Sequence, residues 1–160
     1  MDEVTLRRAE ERDVRVLGRL GAMLMRAHHA FDPQRFLPPG DDPESGYAWF
    51  LGTQLAEPEC VIYVAEQAGE IVGYVYAGIE GKSWKELRDV AGFVHDVAVV
   101  EGARRHGIAA LLVEAAAEWL LARGVARVML WTAEPNVAAQ RLFAKLGFRR
   151  TMIEMTREAP

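Results

Sequence analysis

Val97-Ala98-Val99-Val100-Glu101-Gly102-Ala103-Arg104-Arg105-His106-Gly107-Ile108-Ala109-Ala110 runs from a β-branched strand through a basic, glycine-containing loop into a helix. The helix continues downstream: Ile108, Leu111, Leu112, Ala115, Ala116, Trp119 and Leu120 recur at helical spacing, and Gly124 stops it. At the start of such a helix the first backbone N–H groups have no intrahelical acceptor and the macrodipole is positive. A phosphate can therefore be held there by amides alone. Gly107, Ala109 and Ala110 leave room for a ligand to approach the backbone, and Arg104, Arg105 and His106 add positive charge beside it. Two other phosphate motifs are excluded. Gly102 and Gly107 have P-loop spacing, but Ile108-Ala109 stands where Lys-Ser/Thr would be needed, and no Gly-x-Gly-x-x-Gly occurs.

Upstream, Val4 to Arg8 reads as a strand, followed by a helix carrying Val14, Leu17, Gly18, Gly21, Leu24, Met25 and His28 on one face. Pro33, Pro38, Pro39 and Gly40 make 31–42 an irregular connection, and Asp42-Pro43 starts a second helix bearing Tyr47, Phe50, Leu51 and Leu55. Cys60 to Ala65 and Ile71 to Ala77 form two strands joined by a turn at Gln67-Ala68-Gly69-Glu70. A third begins at Gly92 and ends at Val100. Beyond the central helix come a strand at Val125 to Thr132, a helix opened by Pro135-Asn136, and a last strand at Phe148 to Thr156. This order, without a composition break or internal repeat, predicts one α/β domain around a mixed sheet.

The whole-chain properties limit what this domain does. Its 160 residues suit a single core. A formal net charge of −4 argues against a nucleic-acid-binding or anionic-membrane-binding protein, so any bound phosphate needs a local feature such as Arg104-Arg105-His106. One cysteine, Cys60, forms neither an internal disulfide nor a cysteine-rich zinc site, and Met1-Asp2-Glu3-Val4 lacks the positive charge of a secretory signal. A soluble, cytoplasmic protein without a metal is expected. His28, His29 and Asp32 are too loosely arranged for a metal site.

The loop and the segments downstream of it resemble the GNAT superfamily of acyl-CoA N-acyltransferases. Its pyrophosphate loop, Arg/Gln-x-x-Gly-x-Gly/Ala, is matched by Arg104-Arg105-His106-Gly107-Ile108-Ala109, with alanine in the last place. The family's later strand, Asn-x-x-Ala helix and Gly-Phe are matched by 125–132, Asn136-Val137-Ala138-Ala139 and Gly147-Phe148. The resemblance covers nearly the whole chain, most strongly 93–148. It implies a single N-acetyltransferase domain over 1–160, with a mixed central sheet flanked by about four helices. Strands 93–100 and 125–132 would splay around acetyl-CoA, the acyl donor.

By the same resemblance, Val97, Ala98, Val99, Arg104, Arg105, His106, Gly107, Ile108, Ala109, Ala110, Asn136 and Phe143 contact the donor, and the Val97 N–H polarises the thioester carbonyl. Asn136 also suits a helix cap. The implied acceptor is an amine on a small molecule, protein or peptide, with a homodimer as the expected assembly. Acetyl transfer requires a neutral amine, and His95 is the first candidate for the base, its reference pKa of about 6.5 suiting proton exchange near neutrality. Strand alternation puts His95 on the face of Val97 and Val99 and turns Asp96 to the other. The same position also suits a half-buried histidine that only hydrogen-bonds a neighbour. Phe143 departs from the pattern, since many family members have a tyrosine there that protonates the leaving thiolate. Tyr74, Tyr76, water or the proton released from the amine would then substitute, or the chain would be an acyl-CoA-binding regulatory module with weak or no catalysis. Trp84 and Trp131 suit either an acceptor pocket or packing.

Overall fold

A computed structural model describes residues 2–160. The strands are β1 (Val4–Arg8), β2 (Cys60–Gln67), β3 (Glu70–Glu80), β4 (Ala91–Val99) and β5 (Val128–Leu130); the helices are α1 (Val14–Phe31), α2 (Pro43–Leu55), α3 (Ile108–Ala122) and α4 (Val137–Lys145). The sheet order is β1-β2-β3-β4-β5, antiparallel except for the parallel β4–β5 pair. The fold is the expected α/β domain, a mixed sheet flanked by four helices, with five strands where the sequence reading placed six. No helix among the described residues is long and apolar enough to cross a membrane.

Both faces of the central strands are apolar because both are covered. On β2 and β3, Val61, Ala65, Val75 and Ala77 pack against Ile108, Leu112, Ala116 and Leu120 of α3. The alternate residues Ile62, Val64, Tyr74 and Tyr76 pack against Leu17, Leu20 and Leu51 of α1 and α2. This is the period-two alternation of a pleated strand buried on both sides. The β2–β3 turn uses Ala68 at φ +52° and Gly69 at φ +78°, the two left-handed residues that a tight hairpin requires. The Asp42 side chain accepts the Ser45 N–H at 3.1 Å, and Pro43 occupies the first turn of α2. At the other edge, Arg7 donates to both carboxylate oxygens of Asp13, at 2.7 and 3.0 Å, tying β1 to the entry of α1.

α1 and α2 approach closely through glycine. A Cβ on Gly18 would lie 2.5 Å from the backbone oxygen of Glu44 and 2.7 Å from Ala48 Cβ. Gly18→Ala should therefore destabilise the protein by about 1–3 kcal/mol through overpacking, more than the ~1 kcal/mol that alanine gains in helix propensity. The check is a melting temperature several degrees lower; an unchanged midpoint would mean that the helices are not held so close.

Two expectations are corrected near β5. The strand foreseen over 125–132 is reduced to Val128–Leu130, and the segment foreseen as a last strand, 148–156, forms none. A strand exists through the neighbour that takes its N–H and C=O groups, and β5 pairs only with β4. The chain leaves α4 at Gly147, φ +91°, and continues without a ladder.

Candidate functional site

The pairing of β4 with β5 is confined to Gly92↔Val128, Phe93↔Met129 and Val94↔Leu130. Past Val94 the two strands part. On its other side β4 stays paired with β3, through Asp96↔Tyr76, Val97↔Val75, Ala98↔Tyr74 and Val99↔Gly73. The Val100 N–H donates to Val72 C=O at 2.8 Å, which directs the even-numbered backbone groups here toward β3. Val97 and Val99 consequently turn their N–H and C=O groups toward the open side. The Val99 carbonyl already accepts Arg104 Nε at 2.9 Å. Ala98 is different: its backbone faces β3 and its side chain lies in the core under α1 and α2, so the structure does not bring it to the open edge with its neighbours.

The open edge leads directly to the helix end. Glu101–Ala103 is a short 3-10 turn; Arg105 then takes φ +67° and Gly107 φ +77°, a glycine-favoured conformation that turns the chain into α3. The first α3 bond is from the Leu111 N–H to Gly107 C=O, and no side chain caps the helix. The amides of Ile108, Ala109 and Ala110 are the free N–H groups of that end. Ile108 anchors the turn with its side chain in the core, while Arg104, Arg105, His106 and Gly107 are exposed. Asn136 accepts the Ala139 N–H at 3.2 Å and caps α4. Phe143, half-buried, meets Phe148 edge-on at 6.0 Å between centroids.

His95 departs from simple alternation. Tyr76 pairs with Asp96 and Ala77 with Val94, leaving His95 as the extra residue of a β-bulge. Its ring lies 5.0 Å from that of Tyr76 and stacks 5.8 Å from Phe93, while Val97 and Val99 pack toward α3. The expectation that His95 shares a face with Val97 and Val99 is thus corrected: the bulge shifts the phase, and His95 and Asp96 both turn toward the α1–α2 side. Two adjacent polar residues in an otherwise apolar strand are the sequence signal of such a shift.

His95 Nε2 is 3.1 Å from Glu80 Oε1. Both border a cavity of about 260 Å³ lined also by Glu86, Arg88, Phe93, Val94 and Trp131. Glu86 is paired with Arg88 at 2.7 Å, and the Arg88 guanidinium lies 5.0 Å from the Phe93 ring centroid. Glu80 is therefore the carboxylate of this wall left to face an incoming cation. Trp131 is 76% exposed at the rim; Trp84, at 80%, stands outside the lining.

Asp96 accepts hydrogen bonds from Tyr47 (2.7 Å) and Tyr74 (2.9 Å). Burial pushes its carboxyl above the ordinary range, opposed by those two hydroxyls. Burial also raises Tyr74 and Tyr76, and their hydroxyls donate to Asp96 and to Gln54, respectively. Neither is a free acid facing the open edge. Cys60 is half-buried against Gln54, and burial raises its thiol away from the reactive thiolate.

Comparison with known proteins agrees with this geometry. The sequence matches the Acetyltransferase (GNAT) family over residues 22–148. It is 33% identical over 116 residues to an N-alpha-acetyltransferase of Sulfurisphaera tokodaii, a match covering 69% of this chain and 70% of that protein. It is 35% identical over 121 residues to a mycothiol acetyltransferase of Thermobispora bispora, covering 72% of this chain but only 40% of that longer protein. Among solved structures, an aminoglycoside N-acetyltransferase in complex with CoA superposes with a TM-score of 0.80 at 17% identity, covering 99% of this chain and 96% of that one. A predicted acetyltransferase with acetyl-CoA from Clostridium acetobutylicum gives 0.73 at 15% identity, covering 96% of both chains. With a splayed strand pair opening onto an uncapped, basic helix end, and with a family match over most of its length, this chain belongs to the GNAT family of acetyltransferases.

Proposed function

We propose that the chain is an acetyl-CoA-dependent N-acetyltransferase in which a primary amine attacks the thioester directly within a ternary complex. The reading is carried by one observation, the open edge of β4 from Val97 to Val99 running into the free amides of α3. Backbone groups along that edge suit the amides of an extended pantetheine arm. The α3 amides with Arg104, Arg105 and His106 suit its pyrophosphate. In this reading the Val97 N–H, on the open edge, polarises the thioester carbonyl, a role worth roughly 3 kcal/mol in the transition state. The cavity beside His95 takes the acceptor. A protonated amine enters against Glu80, His95 takes one proton, the neutral nitrogen forms the C–N bond as the C–S bond breaks, and the nitrogen sheds its second proton to solvent water as the amide forms. With Phe143 offering no proton, CoA leaves as a thiolate, tolerable for a thiol whose pKa is near ~8.5.

The acceptor class is a small or peptidyl primary amine that is cationic in solution. The mycothiol and aminoglycoside acetyltransferases among the similar proteins support a small-molecule amine, and the N-alpha-acetyltransferase supports a peptide amine. We place the reaction in the cytoplasm, within the single domain formed by residues 1–160. Phe143 favours a second reading, a module that binds acyl-CoA without turnover. One pair of measurements separates them. CoA at ~100 times its dissociation constant should stabilise the protein by about 2.7 kcal/mol. Thiol release from acetyl-CoA should then appear with at least one member of a panel of small amines, aminoglycosides and peptides with free α-amines. Stabilisation with no release on any acceptor would support the binding module; no stabilisation would remove both readings.

A further inference from the structure

Aromatic rings line the cavity beside His95 in an unbroken row. The Tyr76 and His95 rings lie 5.0 Å apart, His95 stacks on Phe93 at 5.8 Å with 10° between planes, and Trp131 meets Phe93 edge-on at 6.0 Å. These residues come from β3, from β4 and from just past β5, so the row crosses the sheet where β4 and β5 part. Tyr76 and Phe93 are buried, whereas Trp131 ends the row at the rim with its ring bare. An uncovered indole beside a cavity is a large apolar face that a flat ligand group can take up. Charge along the row is one-sided. Glu80, 3.1 Å from His95 Nε2, is the free carboxylate at the His95 end. Beside Phe93, Glu86 is neutralised by Arg88, whose guanidinium lies over the Phe93 ring at 5.0 Å. Each nitrogen of that guanidinium is engaged: Nε and Nη2 with Glu86, both at 2.7 Å, and Nη1 with the carbonyls of Gly81 and Asp89, at 3.1 and 3.0 Å. The cavity therefore offers one place for a cation, none for a second, and no parallel pair of N–H groups for a carboxylate.

We propose that the acceptor is an arylalkylamine: a primary amine with one positive charge, no carboxylate, and a flat aromatic group on a short carbon chain. The proposal rests on the acetyltransferase reading and narrows its acceptor. The ammonium is held between Glu80 and His95, and the aromatic group covers the open face of Trp131. Acetyl passes from the thioester sulfur to the amine nitrogen, giving the N-acetyl amide, CoA and a proton. At about 260 Å³ the cavity falls below the roughly 300–1,000 Å³ of sites for drug-sized ligands, so it suits one aromatic group and its chain rather than an oligosaccharide. A polycationic aminoglycoside would bring further ammonium groups beside Arg88 with no free carboxylate to meet them. An aromatic amino acid would set its own carboxylate against Glu80 with no donor to hold it.

The test compares phenylethylamine with butylamine, phenylalanine and kanamycin as acceptors. Acetylation of phenylethylamine should have a kcat/KM at least about tenfold above that of each of the others, the worth of covering one ring face. Trp131→Ala, at an exposed position, should lower the preference for phenylethylamine over butylamine by about tenfold, through the KM of the aromatic amine. Calorimetric titration of phenylethylamine into the CoA-bound protein reads the site without turnover, and the same variant should weaken that binding by a similar factor. Equal or better use of butylamine, phenylalanine or kanamycin, a preference unmoved in Trp131→Ala, or a loss in that variant that falls on the KM of acetyl-CoA would each overturn the proposal and leave the acetyltransferase reading standing. Absence of phenylethylamine binding would overturn it as well. Trp131-dependent binding of phenylethylamine with no turnover of any amine would keep this ligand class and remove the acetyl-transfer reading alone.

Discussion

His95→Ala is expected to lower acetyl-transfer turnover by about 10²-fold or more, the usual loss when a positioned general base is removed, while CoA affinity stays within a few-fold. The separation comes from placement. His95 lies at the bulge, between the Tyr76 and Phe93 rings and beside Glu80, whereas the donor cradle lies further along β4 and at α3. Losing a solvent-exposed ring at an unpaired position removes no ladder bond and only its contacts with the outer faces of Tyr76 and Phe93, so the protein should stay folded. Added imidazole, small enough for the space vacated, should restore part of the rate. Steady-state kinetics with varied acetyl-CoA and varied amine make the check. Turnover equal to wild type would show that another group or a water path takes the amine proton.

Gly107→Glu should weaken CoA binding by at least ~100-fold, equivalent to about 2.7 kcal/mol. Two effects act together. The carboxylate would sit over the Ile108, Ala109 and Ala110 amides and compete with the pyrophosphate for them. A non-glycine residue at φ +77° also costs roughly 1–2 kcal/mol. No atom lies within 4 Å of a Cβ built there, so the fold should survive. Gly107→Ala separates the terms, since it carries the torsional cost without the charge and should keep most of the affinity. Calorimetric titration with CoA measures both. Wild-type affinity in Gly107→Glu would mean that the pyrophosphate is bound elsewhere.

Most of the fold is legible in the sequence because most of it obeys simple periods. The cores of β2 and β3 are apolar on successive residues, as strands covered on both faces must be. The turn between them carries glycine where φ is positive, and α2 opens on Asp42-Pro43 where a free amide and a missing donor coincide. The helix end at Gly107 is legible for the same reason, through local backbone chemistry. The bulge at His95 is signalled only by the adjacent polar pair His95-Asp96, and alternation alone misses it, because alternation counts residues and a bulge changes the count. The place of Glu80 beside His95 depends on that bulge, and it joins residues from two different strands. Segment 148–156 has a strand's composition without a partner, and pairing is not a local property.

The bulge also determines which changes in length β4 can absorb. Val94 faces α3 and Asp96 faces the tyrosines, as two successive residues of an unbroken strand would if His95 were absent. Removing that one position would leave every core residue on its present face, whereas an insertion or deletion elsewhere in the strand would reverse half of it. The residue assigned the proton transfer is thus the one member of β4 that the packing does not require. Within this strand, chemistry can be gained, lost or replaced without rebuilding the core.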